Sequence, residues 1–215
     1  MKKRTAQLAG IALGIVAATG CSGSDGGVKG NSKVDMQEAA EKADALVYRT
    51  FRAVRPPLDW THDASDHGSC GGSDAYGDVT RRAVVMTKVS DERRGALLGV
   101  IERYWKKSGL KITKVISDKE FPEMYAETGD GLLRTGLVVG GGGQFFLDVQ
   151  TACVRTSEVS APATRTRGRS YYGKDVPRPN VTDPFWSSRE HTGRDDHDRL
   201  TATLGDGAFG GKGRT

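Results

Sequence analysis

The chain has 215 residues, of which 36% are hydrophobic and 29 are glycine. That is enough apolar mass for one domain of moderate size between less structured segments, and too little for a two-lobed solute-binding protein. The formal net charge of +5 owes much to Lys2, Lys3 and Arg4, so the rest of the chain is close to neutral; a nucleic-acid-binding domain, which concentrates basic charge on its folded part, is excluded as an expectation.

Taken in chain order, Lys2-Lys3-Arg4 is followed by an apolar or small-residue stretch from Leu8 to Ala18 and then by Ala18-Thr19-Gly20-Cys21. A basic start, a short apolar run and a small-residue site form a secretory signal. The run falls short of the roughly 20 residues that span a bilayer comfortably. Ala18-Thr19-Gly20-Cys21 resembles the lipobox of bacterial lipoproteins, with Ala where Leu is commoner. The resemblance implies a diacylglyceryl group on the sulfur of Cys21 and removal of residues 1–20. The chain is then expected on the extracytoplasmic face of the cell membrane, held by its N-terminal lipid. Ser22-Gly23-Ser24-Asp25-Gly26-Gly27 reads as a flexible tether within a linker over 21–31. Lipobox and tether together resemble the start of small exported lipoproteins of high-GC actinobacteria, a resemblance that supplies an address and no activity.

Residues 34–55 are predicted to be a helix, because Met36, Ala39, Ala40, Ala43, Val47, Phe51 and Val54 recur at three- and four-residue spacing. Ser32 and Asp35 form a candidate capping pair, and Arg55-Pro56-Pro57 ends the helix. Residues 56–78, rich in Asp, Gly, Ser and His, read as a loop. A strand is predicted over 79–89 and a second helix from the cap Ser90 through Leu97, Leu98, Ile101, Tyr104 and Trp105, with Gly109 as the residue beyond its end. Strands follow over 110–117, 132–139 and 144–155, with a connection at 118–129 and a turn at Gly140–Gly143. The expected fold is an α+β two-layer sandwich in the order α-β-α-β-β-β. A four-stranded, mainly antiparallel sheet carries both helices on one face. The domain is expected over 32–157. Residues 158–215 show no apolar periodicity and read as a disordered tail. Its one apolar cluster, Asp183-Pro184-Phe185-Trp186, would dock on a partner or back on the domain.

With Cys21 lipidated, Cys70 and Cys153 remain as an even pair in an oxidising compartment and are expected to form a disulfide; a reactive thiol or a metal ligand is the rival reading. His62, Asp66 and His67 crowd the 59–70 loop and are candidate metal ligands, although their spacing matches no strong pattern and a solvated polar loop accounts for them as well. His191 and His197 are weaker candidates of the same kind. The Gly140–Gly143 run lacks the Lys-Ser/Thr pair of a phosphate loop. Ser69-Cys70-Gly71 is no nucleophile elbow, and Glu120, Glu123 and Glu127 suggest no acid–base pair. Trp60, Tyr76, Trp105 and Tyr125 could line a ligand groove. No cofactor and no catalytic residue is expected. The function expected is a non-catalytic, membrane-anchored envelope module that binds a protein, peptide or glycan. The alternative is a small-ligand or metal-binding lipoprotein using residues 59–70.

Overall fold

In the computed structural model, which describes residues 31–70 and 72–189, a short strand β1 (Asn31–Asp35) leads into helix α1 (Met36–Arg52). Asp35 caps the helix: its carboxylate accepts the backbone N–H of Glu38 at 3.0 Å. That bond satisfies a donor the helix cannot, and it sets negative charge at the positive end of the dipole. The helix thus begins two residues after the expected start, and Asp35 itself, not Ser32, is the cap. Met36, Ala39, Ala40, Ala43, Val47 and Phe51 are buried as their spacing requires, but so are Asp44 and Thr50. Helix α2 (Asp91–Lys107) starts after Ser90 as expected. It ends with Gly109 at φ +84°, where the N–H of Gly109 reaches Lys106 O and that of Leu110 reaches Trp105 O. This pair of bonds closes the last turn and needs a residue that tolerates left-handed backbone.

The fold is α+β, with two helices and a nine-stranded, mostly antiparallel open sheet among the described residues. After β1 the strands are β2 (Trp60–His62), β3 (Asp66–Cys70), β4 (Ser73–Val85), β5 (Lys111–Ile116), β6 (Glu123–Glu127), β7 (Leu133–Gly140), β8 (Gln144–Thr151) and β9 (Val154–Arg155). The long strand β4 has β8 and β9 along one edge and β2 and β3 along the other. Beyond β8 lie β7, β6 and β5, and β1 runs parallel to β9.

The four expected strands correspond to β4, β5, β7 and β8; the sheet has nine, so the four-stranded expectation is corrected. β2 and β3 lie inside the expected 56–78 loop. β3 is polar and exposed over its first four residues, so it carries no apolar alternation to betray it; its backbone bonds to β4 make it a strand. β6 lies inside the expected connection, with only Met124 and Ala126 turned inward.

Inward residues of the sheet, among them Val79, Ala83, Met124, Leu137, Leu147 and Val149, form one core with the buried sides of α1 and α2. Trp105 joins the two helices, its Nε1–H donating to Thr50 Oγ1 at 3.0 Å. Cys70 and Cys153 form a disulfide with Cα atoms 5.9 Å apart, tying the end of β3 to the break between β8 and β9.

The largest departure from expectation is at 158–189. These residues carry little regular structure, yet they form a strap laid on the domain. The strap leaves the sheet beside α1, where Gln37 Oε1 accepts the N–H of Ser160. At Arg167 it passes the edge of β2, whose Trp60 N–H donates to Arg167 O at 2.9 Å. It then reaches Thr61 through the N–H of Tyr171, Gln144 through Pro177 O, and Met86 through the N–H groups of Asn180 and Val181. Finally Trp186, 1% exposed, donates its Nε1–H to Pro56 O at 2.7 Å, and Trp186 O accepts the N–H of Ser90 at the head of α2. The expected tail therefore does not start at 158, and the Phe185-Trp186 cluster docks on its own domain. Periodicity could not have shown this, because the strap is held by scattered backbone bonds and one large aromatic anchor.

Residues 1–30 and 190–215 lie outside the described residues, and with them Cys21, the signal and linker segments, His191 and His197. Among the described residues no helix is long and apolar enough to cross a membrane.

Candidate functional site

Alternation along a strand sends every second side chain to the face opposite the core. Across the middle of this sheet, five outward positions fall in one register line: Lys114 on β5, Tyr125 on β6, Gly136 on β7, Asp148 on β8 and Arg82 on β4. Directly opposed side chains in such a line are close enough to interact. Glycine in the central position lets the Tyr125 ring lie down against the sheet: a Cβ on residue 136 would fall 2.9 Å from Tyr125 Cε1. The ring thereby covers a backbone that glycine leaves bare.

Each side of the ring is then polar. Lys114 Nζ lies 5.9 Å from the Tyr125 ring centre, within the range of an ammonium–aromatic attraction. Tyr125 Oη donates to Glu123 Oε2 at 2.6 Å, and this bond, with lesser help from burial, raises the phenol above its ordinary pKa. Arg82 grips Asp148 with two parallel bonds, Nε to Oδ1 at 2.7 Å and a terminal nitrogen to Oδ2 at 2.9 Å. The hydrogen bond to Asp148 raises Arg82 above its ordinary, already high pKa, so the guanidinium stays charged. These strands border a groove of about 630 Å³, whose rim adds Arg134 and Gln150. Gln150 is oriented by its donation to Asp78 Oδ2. The arrangement presents one aromatic surface flanked by fixed donors and acceptors, the composition of a binding surface for a hydroxyl-rich or otherwise polar chain.

A second polar group lies inside the protein, beneath the strap. Arg81, 1% exposed, points from β4 toward α1, where its Nε lies 3.2 Å from Asp44 Oδ1. Its two terminal nitrogens donate to Ser65 Oγ and Ser160 O, each at 2.7 Å. Burial pushes the Asp44 carboxyl up to about 6, against the opposing pull of Arg81 and of the Ala163 backbone N–H. His62 is 3% exposed, and its Nε2 lies 2.9 Å from Thr164 Oγ1 and 3.2 Å from Thr164 O. Desolvation pushes His62 down to about 4 despite the bond to Thr164, and the Arg81 charge acts in the same direction. The imidazole is therefore neutral at pH 7.

The residues singled out from sequence are dispersed. His62 is buried under the strap, Asp66 and His67 are exposed on β3, and Cys70 is in the disulfide. Among the described residues no three His, Cys, Asp or Glu side chains come together as metal ligands. Of the four aromatics considered for a groove, Tyr125 lines this one; Trp105 and Trp60 are core residues, and Tyr76 pairs with Arg155 at the far end of β4. Lys114, Asp148, Arg82 and Gly136 were missed. Strand alternation could have placed each on the outer face, but the register that lines them up depends on pairings, including that of the unexpected strand β6. No protein-family model matches this chain, and no curated protein or solved structure was found to be similar to it.

Proposed function

We propose that this chain is an exported lipoprotein, held at the outer face of the cell membrane by acyl chains on Cys21, whose domain is a non-catalytic module that binds a glycan strand along the outer face of its sheet. The export signal and lipobox motivate the location, and the Cys70–Cys153 bridge suits an oxidising compartment. In this reading the domain is a two-layer arrangement with both helices on one side, which leaves the opposite face of the central strands for ligand. The observation that carries the binding assignment is Tyr125 lying against Gly136, between Lys114 and the Arg82–Asp148 fork. The aromatic face turned away from Gly136 takes the apolar face of a sugar ring as the exposed Lys114 ammonium above it swings aside, while the charged groups beside it order the hydroxyls.

The test is binding of soluble cell-envelope polysaccharide fragments to the purified full chain, followed by saturation-transfer NMR or calorimetry. Tyr125→Ala is expected to weaken a bound fragment by about tenfold, the loss of one stacking contact of roughly 1.4 kcal/mol, with only a small fall in melting temperature from uncovering Gly136. Retention of full affinity by that variant, or capture of peptides but no glycan, would reject the glycan assignment. The location is checked separately: Cys21→Ser is expected to release the protein from the membrane fraction into the medium.

A further inference from the structure

A second cavity, of about 580 Å³, lies where the C-terminal end of α1 meets the strap, and four arginines line it: Arg52, Arg55, Arg165 and Arg167. No carboxylate is among its lining residues. A chain near charge balance has here gathered like charges that repel one another. Three of the four are held in place by contacts that use only part of each guanidinium. Arg52 lies over the Tyr48 ring, 5.5 Å from its centre, and donates to Tyr48 Oη. Arg55 donates from one nitrogen to Arg52 O and Val54 O, which neutralises the negative end of α1 that would otherwise oppose an anion. Arg167 is fixed by Asp59, Nε to Oδ1 at 3.0 Å. Gly168, at φ +85°, makes that contact possible, since a Cβ there would fall 2.6 Å from Asp59 Oδ2. Arg165 is exposed and makes no hydrogen bond or ion pair among the described residues.

We propose that this cavity is a binding site for the phosphate of a phosphate ester. A guanidinium carries five N–H donors in a planar fork, and each of the three oriented arginines keeps donors to spare after its structural contact. Several such forks around one cavity suit a compact, tetrahedral oxyanion with several acceptor oxygens better than a single carboxylate. The floor of Trp60 and Leu58, both buried, offers an apolar surface to the ester's organic part. The site does not rest on the glycan reading of the sheet groove: it is formed by a different helix end and by the strap.

The experiment titrates glycerol 3-phosphate, and in a parallel arm vesicles of phosphatidylglycerol in phosphatidylcholine, into full-length Cys21→Ser protein at low ionic strength. The expected result is saturable binding in at least one arm. Binding in solution identifies a soluble or polymer-borne ester, and binding to vesicles alone identifies a lipid headgroup. Arg52→Ala/Arg165→Ala is expected to weaken it at least tenfold. Arg52→Lys/Arg165→Lys, which keeps charge and loses the forks, should also be impaired. Lys106→Gln/Lys107→Gln, which removes the same charge from the end of α2, should bind as the parent does. Because Arg52 and Arg165 are both exposed, their replacement leaves the core intact, which a thermal melt verifies. No saturable binding in either arm, or equal losses in the arginine and lysine variants, would overturn the site.

Discussion

Asp44 and His62 are ordinary polar residues in the sequence, and the fold displaces the pKa of each. His62 is held near 4, below its ordinary 6.5. As the pH falls from about 6.5 to 4, the unfolded chain takes up a proton that the folded chain refuses, so His62 costs stability across that window. Asp44 is raised from 3.8 to about 6. The folded chain therefore takes up its proton first, and acidification from about 6 to 3.8 restores stability. The two contributions oppose each other over nearly the same range. His62→Gln is therefore expected to gain stability relative to wild type as the pH drops from 7 to 4.5, and Asp44→Asn to lose it, measured as shifts in urea midpoint at the two pH values. Parallel shifts of all three proteins would remove the assignment.

Elements in this protein were legible in sequence where their residues face apolar surroundings at a regular interval. Helix α2 and strands β4, β7 and β8 are of this kind: Leu97, Ile101 and Trp105, or Phe145, Leu147 and Val149, carry the period of their element directly. Strands β2 and β3 were not legible, because an edge strand is made by its backbone bonds to β4 and its side chains can be polar. The same applies to the outer face of the sheet, where Gly136 reads as a weak strand residue until Tyr125 is placed across from it. The disulfide was legible by elimination among three cysteines, and it acts at this scale by holding β3 to the β8–β9 break. Replacing Cys70 and Cys153 by Ser is expected to lower unfolding free energy by about 4–5 kcal/mol, as loop-closure entropy implies for a separation of 83 residues. Chemical denaturation with matched m-values is the check; a loss below about 1 kcal/mol would mean that the β3–β4 pairing is secured without the bridge.

For the whole molecule, the strap sets the limits of the folding unit. It begins against α1, rounds the β2 edge and finishes at the head of α2, so it touches elements far apart in the sequence. It also pairs with backbone at an edge that would otherwise be open to another chain. A chain ended after residue 157 loses that cover, the Trp186 anchor and the Thr164 contact to His62. It is expected to self-associate and to expose amide protons of β2, whereas a chain ended after residue 189 should remain monomeric. Light scattering and hydrogen exchange distinguish the two, and a monomeric, fully protected 1–157 chain would show the strap to be dispensable.

The parallel pairing of β1 with β9 bears on how such a molecule withstands tension. Asn31 aligns with Val154, immediately after the bridged Cys153, and Asp35 is joined to Arg155 by an ion pair. In the proposed anchoring, tension from a lipid on Cys21 would reach the domain at β1, beside the Cys70–Cys153 crosslink. A load entering there would meet the covalently tied part of the sheet first, so the mooring would be attached where the fabric is sewn.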